Sequence, residues 1–248
     1  MDAEFARIGM EVRYFTAVDA ATTTDQTFAA TFAATGPLGA LGRGDMACTL
    51  SHFALLEAFL ETDADYALAL EDDAVLAADL PRWLSDVSWV PEDADIVKLE
   101  RFEAAGLVVL LAPERARHLG RRISRILSRH SGTAGYLITR AAARRVLDAA
   151  HQVALPIDHF LFNANASPLA ATLTLYQIEP ALVRQKMAEI SSDVAPLRRD
   201  RALVGWAKKR RDLKRGYYEI RRLPVQVWQM LARGARLRAI DWQDKTGN

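Results

Sequence analysis

The apolar positions of this chain fall into short blocks whose spacing switches between helical and extended. Met1 to Gly9 reads as a short helix closed by a glycine, and Val12-Arg13-Tyr14-Phe15 as a β-rich segment behind it. Residues 20–43 are rich in Ala, Thr and Gly and predict irregular structure with one helical turn. Met46, Leu50, Phe53, Leu56 and Leu60 then recur on one face, so a helix capped by Asp45 is predicted to run to about Glu61. After a polar turn the apolar run Tyr66–Leu70 stops abruptly at three consecutive carboxylates, Glu71-Asp72-Asp73. Downstream the pattern predicts a helix over 79–87, a strand over 95–99, an apolar run over 106–111 and an Arg-rich helix across 114–129. A strand over 136–139, a helix over 140–150, a helix opening at Pro156 and a last strand over 172–178 complete it. Strands alternating with helices argue for a layered α/β fold with a largely parallel sheet.

Composition adds one asymmetry to that picture. The 248 residues carry a formal net charge of +1, yet residues 1–197 hold 17 basic against 26 acidic side chains. Residues 198–238 reverse this, with 14 basic against 3 acidic. In that segment and just beyond it, Trp206, Tyr217, Tyr218, Trp228 and Trp242 interleave with Lys and Arg, as in a helix lying on an anionic membrane surface. No recognition motif supports nucleic-acid binding, and a solvated basic helix is the plainer alternative. We therefore divide the chain into a domain over 1–197 and a basic helical tail over 198–248. Cys48 is the only cysteine, so an intrachain disulfide is excluded and a cytoplasmic setting is the default. No apolar run reaches the roughly 18 residues expected of a membrane-spanning helix, and a secretory-signal layout is not evident.

The triplet at 71–73 is the sharpest chemical signal. Adjacent carboxylates repel one another, and a hard divalent cation such as Mg²⁺ or Mn²⁺ relieves that repulsion while bridging to substrate phosphates. On an extended segment Glu71 and Asp73 share a face and Asp72 points away. A solvated acidic turn explains the triplet equally well. Cys48 and His52 lie four apart on the preceding helix, with Ser51 between them; two such residues make a poor zinc site, and packing is the simpler reading. Gly39–Gly44 lacks the lysine and the strand-before-helix context of a phosphate loop.

Taken in order, Gly44–His52, then Tyr66–Leu70 running into Glu71-Asp72-Asp73-Ala74-Val75, resemble glycosyltransferase family 25, which includes lipopolysaccharide and lipooligosaccharide glycosyltransferases. Asp95–Glu100, Gly132–Ile138 and Pro156-Ile157-Asp158-His159 are similar to its later blocks, so the resemblance covers about residues 1–190. It implies a GT-A-like fold, a UDP-sugar donor carrying a hexose such as galactose or glucose, Mn²⁺ or Mg²⁺, and inversion at the anomeric carbon. The acceptor implied is a cell-envelope glycan or glycolipid, and attachment of the basic tail would place the chain beside it on the inner face of the inner membrane. On this reading Glu71, Asp73 and His159 hold metal, and Cys48, Ser51, His52, Asp72 and Gly135 line the donor pocket. Asp158 is the candidate base that removes the acceptor proton, although a helix cap is the plainer role for it. Family members usually open with an apolar strand and an Arg-rich segment, whereas Met1–Phe5 resembles the helix after that strand. The expectation is therefore a sheet lacking its first strand, and the competing reading is a non-catalytic remnant with a membrane-binding tail.

Overall fold

The computed structural model describes residues 1–102, 108–186, 213, 216–218 and 220–244. Helix α1 (Asp2–Ile8) ends on Gly9 in the left-handed conformation, as the glycine predicts. Helix α2 is Asp25–Thr31, capped by the Thr24 side chain. Helix α3 spans Arg43–Leu60; Asp45 lies inside its first turn and reaches back to the Gly42 amide at 3.4 Å. Strands β1 (Tyr66–Leu70) and β2 (Ala74–Leu76) and the short helix α4 (Leu80–Leu84) follow. Strands β3 (Ile96–Lys98), β4 (Glu100–Arg101), β5 (Val109–His118), β6 (Arg121–Ile126) and β7 (Gly135–Thr139) lead into helices α5 (Arg140–Asp148) and α6 (Ile157–Phe162). Strands β8 (Leu175–Glu179) and β9 (Val183–Gln185), helix α7 (Leu223–Arg233) and strand β10 (Arg236–Arg238) complete the described elements.

Seven strands form one sheet in the order β1-β7-β3-β8-β6-β5-β10, and β2, β9 and β4 form a second, smaller sheet. The large sheet is mixed but mainly antiparallel: β3 with β8 is its parallel pair, and the other neighbours run antiparallel. This corrects the expected parallel sheet. Two features cause the difference. Strand β7 returns between β1 and β3 against both, and the predicted Arg-rich helix over 114–129 is instead the β5–β6 hairpin. That hairpin turns at Leu119 and Gly120, both with positive φ, as a tight hairpin turn requires. Arg121 enters the interior rather than solvent, held by Asp79 through two hydrogen bonds of 2.6 and 3.2 Å.

Alternate residues of the central strands feed two cores. Ile96, Tyr136 and Ile138 pack with α3, α5 and α6 on one face. Val97, Leu137 and Ile178 pack with Phe5 of α1, Trp83 of α4 and the small sheet on the other. The predicted strand Val12–Phe15 does not form; Val12, Tyr14 and Phe15 are exposed, because β propensity without a ladder partner leaves the segment as coil. Strand β1 is one edge of the sheet.

The basic tail is not a separate appendage throughout. Strand β10 pairs with β5 as the other edge, Ala181 bridges to Trp242, and the Gln243 carbonyl accepts a 2.9 Å hydrogen bond from Arg121. Residues 187–212, which include Trp206 and half of the basic residues of the 198–238 segment, lie outside the described residues. Among those described, no helix is long and apolar enough to cross a membrane.

Candidate active site

Strands β1 and β3 end on the same side of the sheet, where β7 begins, and the conspicuous polar side chains gather there. At the end of β1 the Ala74 amide bonds to the Glu71 carbonyl at 3.2 Å, so residues 71–74 form a turn and not an extended segment. Through this turn, rather than through strand alternation, Glu71 stays close enough for its charge to act on Asp73. Gln185 on β9 donates to Glu71 Oε2 at 3.0 Å, the adjacent Lys186 amide donates to the Asp73 carbonyl at 3.0 Å, and Asp72 is exposed. The other Glu71 oxygen accepts from the Thr133 hydroxyl and faces His52 Nε2 at 3.7 Å. Burial alone would raise the Glu71 carboxyl, but the facing His52 imidazole, the hydrogen bond from Thr133 and the charge of Lys98 bring it below the ordinary value.

Asp73 behaves in the opposite way. Burial, and then the charges of Glu71 and Asp72, push its carboxyl up to about 6, and its buried Oδ1 has no hydrogen-bond partner. A buried carboxylate oxygen without a donor, beside two further carboxylates, is an arrangement that a hard divalent cation would stabilise. The residues present thus fit such an ion.

The loop 131–134, which leads into β7, ties this centre to α6. Its Thr133 holds Glu71, and the adjacent Gly132 amide donates to Asp158 Oδ2 at 3.4 Å. Beneath the loop lies a fully buried ion pair, Lys98 Nζ to Glu100 Oε2 at 2.7 Å. Lys98 also donates to the carbonyls of Ser131 and Gly132, and Glu100 accepts from the Ala134 amide at 3.1 Å. Gly132 has φ +79°, and a Cβ there would stand 2.3 Å from Glu100 Oε1, so only glycine lets the loop close over the pair.

A sequence model of glycosyltransferase family 25 (LPS biosynthesis protein) matches residues 1–161, well over half of the chain. The chain belongs to glycosyltransferase family 25. Among its relatives is the lacto-N-neotetraose biosynthesis glycosyltransferase LgtB of Neisseria meningitidis serogroup B, 28% identical over 74% of this chain and 68% of that protein. The lacto-N-neotetraose biosynthesis glycosyltransferase LgtE of Neisseria gonorrhoeae is 30% identical over 58% of the chain. The lipooligosaccharide biosynthesis protein lic2B of Haemophilus influenzae is 25% identical over 78% of this chain and 74% of its own length. The chain spans only 53% of the length of LgtE.

Within this family 25 chain, the residues expected at the site fall into three groups. Glu71, Asp73 and His52 meet at the end of β1, and Cys48, one turn before His52 on α3, joins them: one ligand atom each from Cys48, His52 and Glu71 lies within 4.8 Å of the others. Asp158 borders the same loop; its other oxygen accepts from the His159 amide at 2.7 Å, in the first turn of α6. His159, Ser51 and Gly135 have different surroundings. His159 Nδ1 pairs with Asn163 at 2.8 Å, and His159 is not in the three-residue cluster. Ser51 bonds the Ala47 carbonyl and the Val18 amide, both at 2.8 Å, and so pins a loop to α3. At Gly135 a Cβ would stand 2.8 Å from the Val183 side chain, so close strand packing demands glycine there.

Sequence reasoning passed over Thr133, Tyr136, Gln185 and the Lys98–Glu100 pair. The pair left a visible signal, since Lys98 and Glu100 sit two apart in an otherwise apolar stretch and must share a buried face. Gln185 left none, for it acts on Glu71 across 114 residues of chain.

Proposed function

We propose that this chain transfers a hexose, galactose or glucose, from a UDP-sugar to a cell-envelope glycan such as lipopolysaccharide, with inversion and with Mn²⁺ or Mg²⁺ bound by Glu71 and Asp73. The observation that carries this reading is the placement of Glu71 and Asp73 together in the turn that ends β1, with one buried Asp73 oxygen left without a donor. The family membership and the relatives' names, which speak of lacto-N-neotetraose and lipooligosaccharide biosynthesis, support the class of donor and acceptor. A divalent cation bound there would stabilise the negative charge that develops on the departing diphosphate. The protein's own part is positional. Thr133 and Gln185 fix Glu71, and exposed Asp72 faces the solvent side from which the donor enters. Asp158, held against the neighbouring Gly132 amide, takes the proton from the acceptor hydroxyl. His159 is placed to support Asp158 and α6 rather than the cation.

Calorimetric titration with UDP, with and without Mn²⁺, tests the clamp. The expected result is metal-dependent binding that weakens at least about tenfold, or 1.4 kcal/mol, in Glu71→Gln and in Asp73→Asn. Asp158→Asn should bind UDP normally while losing about 10²–10⁴ in the rate of UDP release from UDP-galactose or UDP-glucose with acceptor present. Metal-dependent UDP binding that survives unchanged in the Glu71→Gln/Asp73→Asn double variant refutes the clamp.

The same reading places the enzyme on the cytoplasmic face of the inner membrane. Helix α7 buries none of its residues; Leu223, Val227, Trp228 and Leu231 are exposed, while Arg233 stacks over Trp228 at 4.8 Å. Flotation with anionic vesicles, but not with neutral ones, is the expected behaviour. Retention on RNA without flotation would reverse it.

A further inference from the structure

The cluster of Cys48, His52 and Glu71 has a chemistry of its own, different from that of the acidic clamp beside it. Cys48 and His52 are one turn apart on α3, and Glu71 comes from the end of β1, so two packed elements fix their separation. All three ligand atoms lie within 4.8 Å of one another, a span that one cation closes with small side-chain movements. The imidazole is already oriented. Its Nδ1 is 2.9 Å from the Tyr136 hydroxyl, the two rings stack with centroids 5.7 Å apart, and Nε2 is left facing Glu71. The carboxylate is held in turn by Thr133 and Gln185. Such outer partners orient ligands at metal sites and set their affinity.

Thiolate and imidazole donors select borderline-soft cations, whereas Mg²⁺ and Mn²⁺ prefer oxygen. Three protein ligands with an open fourth position match a zinc site able to take water or a substrate atom. We propose that Cys48, His52 and Glu71 form a site for a soft divalent cation, with Zn²⁺ as the natural occupant, that shares Glu71 with the oxygen-ligand clamp. Binding converts the Cys48 thiol to a thiolate and releases its proton to solvent. Because one carboxylate serves both sites, Zn²⁺ on Cys48 and His52 draws Glu71 away from Asp73 and weakens the clamp for Mn²⁺. The competition, though not the soft site itself, rests on the clamp reading above.

Metal-free full-length chain titrated with Co²⁺ tests the site without recourse to activity. A thiolate-to-cobalt charge-transfer absorption should saturate at one equivalent and disappear on adding Zn²⁺. Cys48→Ser should lose that absorption, His52→Gln should weaken Co²⁺ binding at least about tenfold, and Asp73→Asn should retain it. Circular dichroism of each variant confirms that it is folded, and His52→Gln carries the test if Cys48→Ser is not. A cobalt complex lacking sulfur charge transfer in the wild type, or a band that persists in Cys48→Ser, overturns the site. Mn²⁺ binding, followed by water-proton relaxation, should weaken when one equivalent of Zn²⁺ is added; an unchanged response overturns the sharing of Glu71. Failure of the wild type to bind Mn²⁺ at all would remove the clamp reading and leave the cobalt result standing.

Discussion

Replacing Lys98 by Met would remove the cation beneath the 131–134 loop while nearly preserving side-chain volume. The ammonium and its Glu100 partner are both fully buried, 2.7 Å apart, and the ammonium also lies 4.4 Å from the Phe162 ring centroid. Glu100 would keep the Ala134 amide at 3.1 Å but lose its counter-charge in a site where burial already pushes its carboxyl up against the pull of Lys98. Breaking a buried pair by removing one partner costs about 3–5 kcal/mol, chiefly because the remaining charge is uncompensated. For a chain of this size each kcal/mol moves the melting temperature by about 2–4 °C, so a fall of roughly 6–20 °C is expected. The double variant Lys98→Met/Glu100→Leu removes both charges and should recover most of that loss. A second effect follows from the loop. Ser131 and Gly132 lose the donor that holds their carbonyls, and they lead directly into Thr133, which fixes Glu71. The single variant should therefore also bind Mn²⁺ and UDP more weakly, although no clamp residue has changed. Thermal denaturation followed by circular dichroism reads the first effect and calorimetry the second. A melting temperature within about 2 °C of wild type, or a double variant as unstable as the single, would refute the reasoning.

Acid should destabilise the fold through His130, which is buried and whose imidazole burial and the Lys98 charge hold down to about 3. The unfolded chain binds that proton near the ordinary value of 6.5, so stability is present above that pH and is lost as pH falls towards 3. Urea midpoints measured between pH 7 and pH 5 should decline, and a His130→Gln variant that retains the same slope would assign the effect elsewhere. Removing residues 235–248 should cost at least about 3 kcal/mol, because strand β10 and buried Ile240 leave and Arg121 loses the Gln243 carbonyl. An unchanged urea midpoint would show that this segment is an appendage after all.

What could be read in the sequence was what a single element decides. The apolar run Tyr66–Leu70 ending in carboxylates, the helical face of Phe53 and Leu56, and the glycine closing α1 are local, and the structure keeps each of them. The hairpin over 109–126 reads in sequence as an apolar run followed by an Arg-rich helix, because nothing local marks any of its arginines as buried. Arg121 is buried by virtue of Asp79, a partner 42 residues away that no local pattern reveals. Val12–Phe15 failed in the opposite sense, since its local preference for strand had no ladder to join. The site sharpens the same distinction. Four-residue spacing put Cys48 and His52 on one face of α3, but two ligands alone favoured packing. Their third neighbour, Glu71, reaches them because β1 pairs with β7 in the register Leu68↔Leu137, which sets Tyr136 opposite Ala69 and brings its hydroxyl under His52. Shift that register by one residue and Tyr136 would change faces of the sheet, leaving His52 without its partner. The chemistry of the cluster is thus a property of strand pairing, and the residue types only state which chemistry becomes possible once the pairing is made.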